Sequence, residues 1–122
     1  MVDSAPGLVD AVNRLRQRRH LEPLPYTTVR PFAGMGVRGL LKIGLDMPDT
    51  DPLFEETKKE FLDDYEAHCT ENIETFTGIN ELLSRIEQKG WQWGIVTNKF
   101  ECFAKPILEK LELYDRAAVV VC

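Results

Sequence analysis

Long hydrophobic runs are missing from this sequence of 122 residues. No apolar stretch approaches the roughly 20 residues that a membrane-spanning helix needs. The opening Met1-Val2-Asp3-Ser4 has neither the basic nor the apolar part of a secretory signal peptide. These absences predict a protein that does not bind a membrane and that resides in the cytoplasm.

Cysteine and histidine are scarce, with three cysteines and two histidines in the chain. Cys69, Cys102 and Cys122 are widely spaced and form no Cys-x-x-Cys pair, and His20 and His68 are isolated. Disulfide frameworks and zinc sites need paired or clustered ligands. We therefore expect free thiols in a reducing compartment and no metal centre built from these side chains.

Basic residues are fewer than acidic ones, and the net charge is −5. The deficit is uneven, because residues 1–42 are net basic whereas residues 46–76 are strongly acidic. A nucleic-acid surface would need a continuous basic stripe, which the acidic middle interrupts. The distribution predicts no nucleic-acid partner, and the basic first third suits an anionic small molecule.

The composition that remains is that of one folded domain, with 43% hydrophobic and 29% charged residues. Apolar residues at helical spacing predict a helix over about 5–20 and a longer helix over about 52–70, which Asp51-Pro52 would begin. The carboxylates of the longer helix are expected to form a solvated face rather than a pair of catalytic acids. They are Glu55, Glu56, Glu60, Asp63, Asp64 and Glu66.

Three glycines occur within six residues between these helices, in Gly34-Met35-Gly36-Val37-Arg38-Gly39. Such spacing predicts a loop whose backbone can approach a ligand or adopt positive φ. One interpretation is a substrate-facing loop in which Arg30 or Arg38 contacts an anion. The other is a tight turn between two helices, and the residues alone favour it slightly.

A different pattern begins after a predicted linker over residues 72–77. An amphipathic helix from about residue 79 ends at Lys89-Gly90, and two apolar strands follow at about 92–97 and 117–121. A helix over about 101–112 separates them, with an irregular first turn expected because of Pro106. This order predicts a strand–helix–strand unit of a buried parallel sheet. Two strands do not make a covered sheet, so the chain is expected to be part of a larger fold.

Thr97, Asn98 and Lys99 directly follow the first of these strands. Ligands of open α/β sheets bind at the carboxyl ends of the strands. A hydroxyl, free backbone N–H groups and a cation there suit a phosphate. An ordinary strand-to-helix loop is the alternative, and it is favoured as long as these residues are considered alone.

Several segments in this order resemble one known family. They are Val2-Asp3-Ser4-Ala5-Pro6, Val29 to Gly36, Phe76 to Leu83, Gly94 to Lys99, Lys105 to Glu109 and Ala118 to Val121. The chain resembles the haloacid dehalogenase-like phosphatases, in particular the phosphoglycolate phosphatase family. The resemblance spans essentially the whole chain, and it is sharpest at Gly94-Ile95-Val96-Thr97-Asn98-Lys99, which is similar to the second family motif.

The resemblance implies an α/β fold, namely a partial Rossmann-like parallel-sheet core with a helical cap domain. Residues 1–6 would be a hinge remnant of the core, residues 7–75 the helical cap, and residues 76–122 the partial α/β core. It further implies that Thr97 donates a hydrogen bond to a phosphoryl oxygen and that the Asn98 N–H assists. The cap loop that would face the substrate carries Arg30, Gly34, Met35, Gly36 and Arg38.

Such enzymes hydrolyse a small phosphorylated metabolite through an aspartyl-phosphate with the aid of Mg²⁺. This sequence lacks the family's Asp-x-Asp-Gly-Thr motif, the lysine of its third motif and its late acidic pair. Asp3 lacks the Gly-Thr that follows the nucleophile and is assigned to the hinge. The chain alone is therefore expected to be inactive, with the missing residues encoded on either side of it.

Two further questions stay open at this stage. The substrate would be 2-phosphoglycolate by default, whereas a sugar phosphate such as N-acetylmuramic acid 6-phosphate is the alternative. The chain could also be a non-catalytic cap-type module that binds an anion or a protein. Nothing in the sequence indicates the oligomeric state.

Overall fold

The computed structural model describes residues 1–122 and contains six α-helices, one 3₁₀ helix and four short strands. The helices are α1 (Ala5–Arg18), α2 (Tyr26–Val29), α3 (Gly36–Leu45), α4 (Phe54–His68), α5 (Ile79–Gln88) and α6 (Glu101–Lys110), and the 3₁₀ helix is Arg30–Met35. The strands are β1 (Val2–Asp3), β2 (Glu74–Thr75), β3 (Gly94–Val96) and β4 (Val119–Val121). None of the helices combines the length and the apolar character that crossing a membrane requires.

The strands form two separate two-stranded sheets. β3 and β4 are parallel, with Gly94 opposite Val119 and Val96 opposite Val121, which confirms the predicted parallel unit. β1 and β2 are antiparallel, with Val2 opposite Thr75. The segment over residues 72–77, which was expected to be a plain linker, thus contains β2. We call residues 4–73, which lie between β1 and β2, the helical region; the pairing of the two strands brings its ends side by side.

A large hydrophobic cluster fills the space between α1, α3 and α4. Apolar residues three or four positions apart turn one side of each helix inward, and Leu15, Leu40 and Phe61 are each only 1% exposed. α6 contributes Phe103 and Ile107 to the same cluster. The helical region and the second half of the chain therefore share one core.

A smaller cluster of Leu83, Leu108 and Leu113 lies under one face of the parallel sheet, where Ile95 and Val120 pack against it. Successive residues of a strand point to opposite faces. On the other face Val96 is 82% exposed, and Val119 is also exposed. Residues of this chain thus cover one face of the parallel sheet, and no element of the chain packs on the other.

The glycine-rich segment is helical rather than a loop. Its first part is the 3₁₀ helix, and α3 begins at Gly36, whose φ of +67° favours glycine. A Cβ on Gly44, near the end of α3, would lie 2.6 Å from Val12 Cγ1. Gly44 therefore serves the close packing of α3 against α1.

The prediction of a solvated carboxylate face on α4 is wrong for Asp64, whose side chain is 2% exposed. Asp64 Oδ1 lies 2.7 Å from Arg14 Nη2, and Asp64 Oδ2 accepts a hydrogen bond from Arg18. Burial raises the pKa of Asp64, but the hydrogen bonds from the two guanidinium groups outweigh it and lower the pKa below its usual range. These arginines bind α1 to α4, since only their charge makes a carboxylate tolerable there.

Two helix starts also differ from expectation. α4 begins at Phe54 rather than at Pro52, because Asp51 instead forms a turn in which its Oδ1 accepts the Leu53 N–H at 2.8 Å. α6 is helical throughout from Glu101, with Pro106 inside it, so the expected irregular first turn is absent.

Candidate active-site cleft

A cleft of about 350 Å³ opens between the helical region and the carboxyl end of β3. The loop after β3 supplies Thr97, Asn98, Lys99 and Phe100. Opposite that loop stand Phe61 and Tyr65 from α4 and the backbone of Gly34 and Gly36. The remaining lining residues are Ser4, Leu8, Ala33, Val37, Leu40 and Phe103. We call this space the β3 cleft; its walls are mostly apolar and its polar groups are concentrated at the β3 loop.

Thr97 is fixed by the sheet and by its own loop. Its N–H donates to Val121 O at 2.9 Å, which extends the β3–β4 pairing by one residue. Its hydroxyl oxygen accepts the Lys99 N–H at 3.1 Å. The hydroxyl proton is still free to be donated, and neither a carbonyl nor a side chain accepts the Asn98 N–H. Two donors thus lie together at the end of β3.

Lys99 is a partly buried cation at the same loop. Its Nζ donates to Tyr65 Oη at 3.1 Å and lies 4.9 Å from the centre of the Tyr65 ring. Burial lowers the pKa of Lys99, because desolvation disfavours the ammonium. Burial likewise raises the pKa of Tyr65 to about 12. The Tyr65 phenol is therefore neutral at neutral pH.

The residues predicted for the cap loop fall into two groups. Gly34 and Gly36 line the β3 cleft together with Thr97 and Asn98. Arg30 Nε instead donates to Tyr26 Oη at 2.9 Å, and Arg38 Nε lies 3.0 Å from Asp49 Oδ2 on the surface. Met35 is 63% exposed, and none of these three side chains lines the cleft.

The residues at the β3 cleft do not suit Mg²⁺, which prefers oxygen ligands with carboxylates among them. The charged group there is the Lys99 ammonium, and the chain has no group of three His, Cys, Asp or Glu residues that could hold a metal ion. Asp3 Oδ1 accepts the Ala5 N–H at 3.2 Å at the start of α1. The side chains of this chain therefore do not form the metal centre that the resemblance implies.

The sequence predictions did not include Tyr65 among the site residues. The available signal was its place on the inward face of α4, one turn after Phe61, combined with a hydroxyl that must find a partner when buried. Which side chain would meet that hydroxyl depends on how α4 packs against the β3 loop. That contact joins residues far apart in the sequence, and only the fold reveals it.

Comparison with known proteins agrees with this fold. The sequence model of the family described as haloacid dehalogenase-like hydrolase matches residues 1–122. The chain belongs to the haloacid dehalogenase-like hydrolases. A crystal structure described as a predicted phosphoglycolate phosphatase from Haemophilus somnus superimposes with a TM-score of 0.81 at 20% identity, over 99% of this chain and 57% of that one. It confirms the predicted α/β fold class.

Two curated relatives are more similar in sequence. The N-acetylmuramic acid 6-phosphate phosphatase of Pseudomonas aeruginosa is 36% identical over 126 residues, which cover all of this chain and 54% of that protein. A phosphoglycolate phosphatase of Xanthomonas campestris pv. campestris is 36% identical over 121 residues, covering 99% of this chain and 54% of the relative. The chain spans about half the length of the curated relatives it matches.

Proposed function

We propose that the protein carrying this chain is a phosphatase that hydrolyses a small phosphomonoester, with 2-phosphoglycolate as the first candidate substrate. The observation that carries the proposal is the pair of free donors, the Thr97 hydroxyl and the Asn98 N–H, at the carboxyl end of β3 beside a mostly apolar cleft. Donors fixed in this way can stabilise the charge that develops on a phosphoryl oxygen.

The part of this chain in the reaction is then to bind and orient the phosphate. The sheet fixes Thr97 through its N–H, so its hydroxyl needs little reorganisation when the substrate arrives. The walls of the β3 cleft are mostly apolar, so a substrate that fills the cleft would displace water and strengthen the hydrogen bonds made inside it. The nucleophilic aspartate and the Mg²⁺ ligands that the family resemblance implies would come from residues outside this chain.

We further propose the domain division predicted from the sequence, with a cap over residues 7–75 between a hinge at 1–6 and a core at 76–122. The pairing of β1 with β2 supports it, because this pairing brings the two ends of the helical segment together. The substrate-facing role of Arg30, Met35 and Arg38 stays a prediction, as do the cytoplasmic location and the absence of a nucleic-acid partner.

The alternative substrate is a sugar phosphate of the N-acetylmuramic acid 6-phosphate type. It is supported by the Pseudomonas aeruginosa relative, which is 36% identical to this chain over all of the chain's residues. The two candidates differ greatly in size, so residues that contact the part of the substrate beyond the phosphate should decide between them. If Arg30, Met35 and Arg38, whose side chains lie outside the β3 cleft in this structure, face the substrate in the full-length enzyme, exchanging them should change the ranking of the two substrates. An unchanged ranking would remove these residues from the substrate-facing surface.

The central experiment measures phosphate release by the full-length protein with Mg²⁺, using Thr97→Val and a matched Thr28→Val control. Thr28 is exposed and lies outside the β3 cleft. Loss of one preorganised donor should lower kcat/KM by about 100-fold to 1,000-fold for Thr97→Val, and the control should keep the wild-type value. Equal activity of the two variants would refute the role of Thr97.

A second experiment tests the 122 residues by themselves. We expect no enzyme-like release of phosphate from either candidate substrate, because the chain supplies neither a positioned nucleophile nor a metal site. Hydrolysis by the purified chain would contradict this. Sequencing the DNA on both sides of the reading frame complements the assay, since an in-frame Asp-x-Asp-Gly-Thr-Leu just upstream is expected.

A further inference from the structure

Lys99 differs from most other basic residues of the chain in having no carboxylate partner. Most lysines and arginines lie within 4.0 Å of an aspartate or glutamate oxygen, including Lys42, Lys59 and Lys105. Lys99 is the charged residue among those of this chain that line the β3 cleft, and none of these lining residues is an Asp or a Glu. An ammonium withdrawn from water without a counter-ion is costly to the folded state.

Tyr65 compensates only part of that cost. A neutral phenol oxygen is a weaker partner than a carboxylate, and the contact with the ring adds a modest cation–π attraction. The same contact also directs the ammonium. It holds the end of a flexible four-carbon side chain against α4, so that the charge remains at the wall of the cleft.

From this geometry we infer that Lys99 binds an anionic oxygen of the ligand in the β3 cleft, and that Tyr65 is the positioning residue that holds the ammonium ready for it. The inference rests on the proposed phosphatase function for the nature of the ligand. The anionic oxygen can belong to the phosphoryl group or to a second anionic group of the substrate, such as a carboxylate. In either case the substrate carries negative charge near the Thr97 hydroxyl and also near α4, where Tyr65 holds the Lys99 ammonium.

The experiment measures binding to the full-length protein by calorimetry, with inorganic phosphate and glycolate as separate probes. Lys99→Met keeps the length of the side chain and removes the charge. Lys105→Met is the matched control, because Lys105 also lies over a tyrosine ring, 5.5 Å from the centre of Tyr114, but is outside the β3 cleft. We expect Lys99→Met to weaken binding of at least one probe about tenfold or more, and the control to leave both unchanged.

The two probes distinguish the sources of the charge. Weakened binding of phosphate assigns Lys99 to the phosphoryl group, and weakened binding of glycolate assigns it to a second anionic group. Unchanged affinity for both probes would overturn the inference. Lys99→Arg should restore part of the lost affinity, because it restores the charge, which a purely structural role for the side chain would not predict.

A spectroscopic measurement separates binding from packing. An anion that contacts the ammonium stabilises its charged form, so adding the bound probe should raise the pKa of Lys99 in an NMR titration of its ε-carbon. Tyr65 of α4 and Cys69, the residue directly after α4, are the titratable groups that face Lys99, and Cys69→Ala removes the thiol from the titration. An unchanged Lys99 pKa at saturating probe would contradict the inference.

The results also separate this inference from the proposed function. If Thr97→Val abolishes hydrolysis while Lys99→Met changes neither binding nor KM, the phosphatase assignment stands and the role of Lys99 is wrong. If Lys99→Met weakens binding in a protein that hydrolyses no phosphomonoester, Lys99 is an anion-binding residue and the phosphatase assignment is wrong.

Discussion

The helical region and the parallel sheet of this chain are stabilised to very different degrees by their own residues. The cluster between α1, α3 and α4 includes thirteen buried residues, among them two from α6, whereas the cluster beneath β3 and β4 has three. An ion cluster also joins α1 to α4, while one face of the sheet is exposed to solvent. The helices therefore complete a core within these residues, whereas the sheet does not.

The largest expected effect of a substitution is in the helical core. Phe61→Ala should lower the free energy of unfolding by about 3–5 kcal/mol, because Phe61 is 1% exposed and its removal leaves a cavity. Leu82→Ala, on α5 beside the sheet, is the control. Since Leu82 is 52% exposed, its loss should cost about 1 kcal/mol or less. Denaturant titration measures both unfolding free energies, and similar losses in the two variants would contradict the difference in burial between the two sites.

The next effect concerns the ion cluster between α1 and α4. Asp64→Asn should lower the free energy of unfolding by about 2–3 kcal/mol, because it leaves the charges of Arg14 and Arg18 without their buried partner. Asp63→Asn is the control, since Asp63 forms an exposed pair with Lys59 and should contribute about 0.5 kcal/mol or less. Chemical denaturation at pH 7 checks both values.

The same variant tests the sign of a pH dependence. The pKa of Asp64 is lowered in the folded state, so the unfolded chain binds its proton first as the pH falls. The stability from Asp64 is fully present above the unfolded pKa of about 4 and is lost as the pH falls through the lower folded value. The difference between wild type and Asp64→Asn should therefore shrink in acid, and a constant difference would contradict the assignment.

A smaller effect is expected where α3 crosses α1. Gly44→Ala should lower stability by about 1–3 kcal/mol, because the added methyl group would overlap Val12 Cγ1 at 2.6 Å. Gly34→Ala is the matched control, since its Cβ would meet nothing within 4 Å and should change stability by about 0.5 kcal/mol or less. If both variants unfold alike, the close approach of the two helices is wrong.

The smallest change in stability is expected on the open face of the sheet, where the effect should be on association instead. Val96→Thr should change the unfolding free energy by about 0.5 kcal/mol or less, because Val96 is 82% exposed. It should also slow aggregation of the 122-residue chain, measured by light scattering, since it makes an exposed strand surface polar. Leu53→Thr, at an exposed leucine before α4, should not slow it. Equal slowing would weaken the contrast between the regions.

Local patterns were sufficient to predict most elements. The amphipathic spacing from Ile79 onward and the glycine at Gly90 defined α5 and its end, and Gly90 does adopt a positive φ of 73°. The apolar runs around Ile95 and Val120 defined two parallel strands, as observed. The place of Thr97 at the end of β3 followed from the strand itself. These features depend on residues close together in the sequence, which is why sequence patterns contain them.

Features that depend on distant residues were not predictable. β1 and β2 have two residues each, and their pairing joins Val2 to Thr75, so neither strand has a pattern of its own. Asp64 looked like any other carboxylate on α4 until the packing of α1 set Arg14 and Arg18 against it. The contact between Lys99 and Tyr65 likewise depends on how α4 lies across the loop of β3. In each case the deciding partner comes from another element of the fold.

The pairing of β1 with β2 has a consequence for how this architecture can vary. The chain enters the helical region through Val2–Asp3 and leaves it through Glu74–Thr75, and these two crossings are adjacent. A segment whose ends meet is topologically an insertion, and insertions of this kind can be exchanged without altering the path of the elements on either side. The helices between Ser4 and Ile73 could therefore diverge in length and sequence while β3 and the position of Thr97 stay unchanged, as long as the core that they share with Phe103 and Ile107 of α6 is kept.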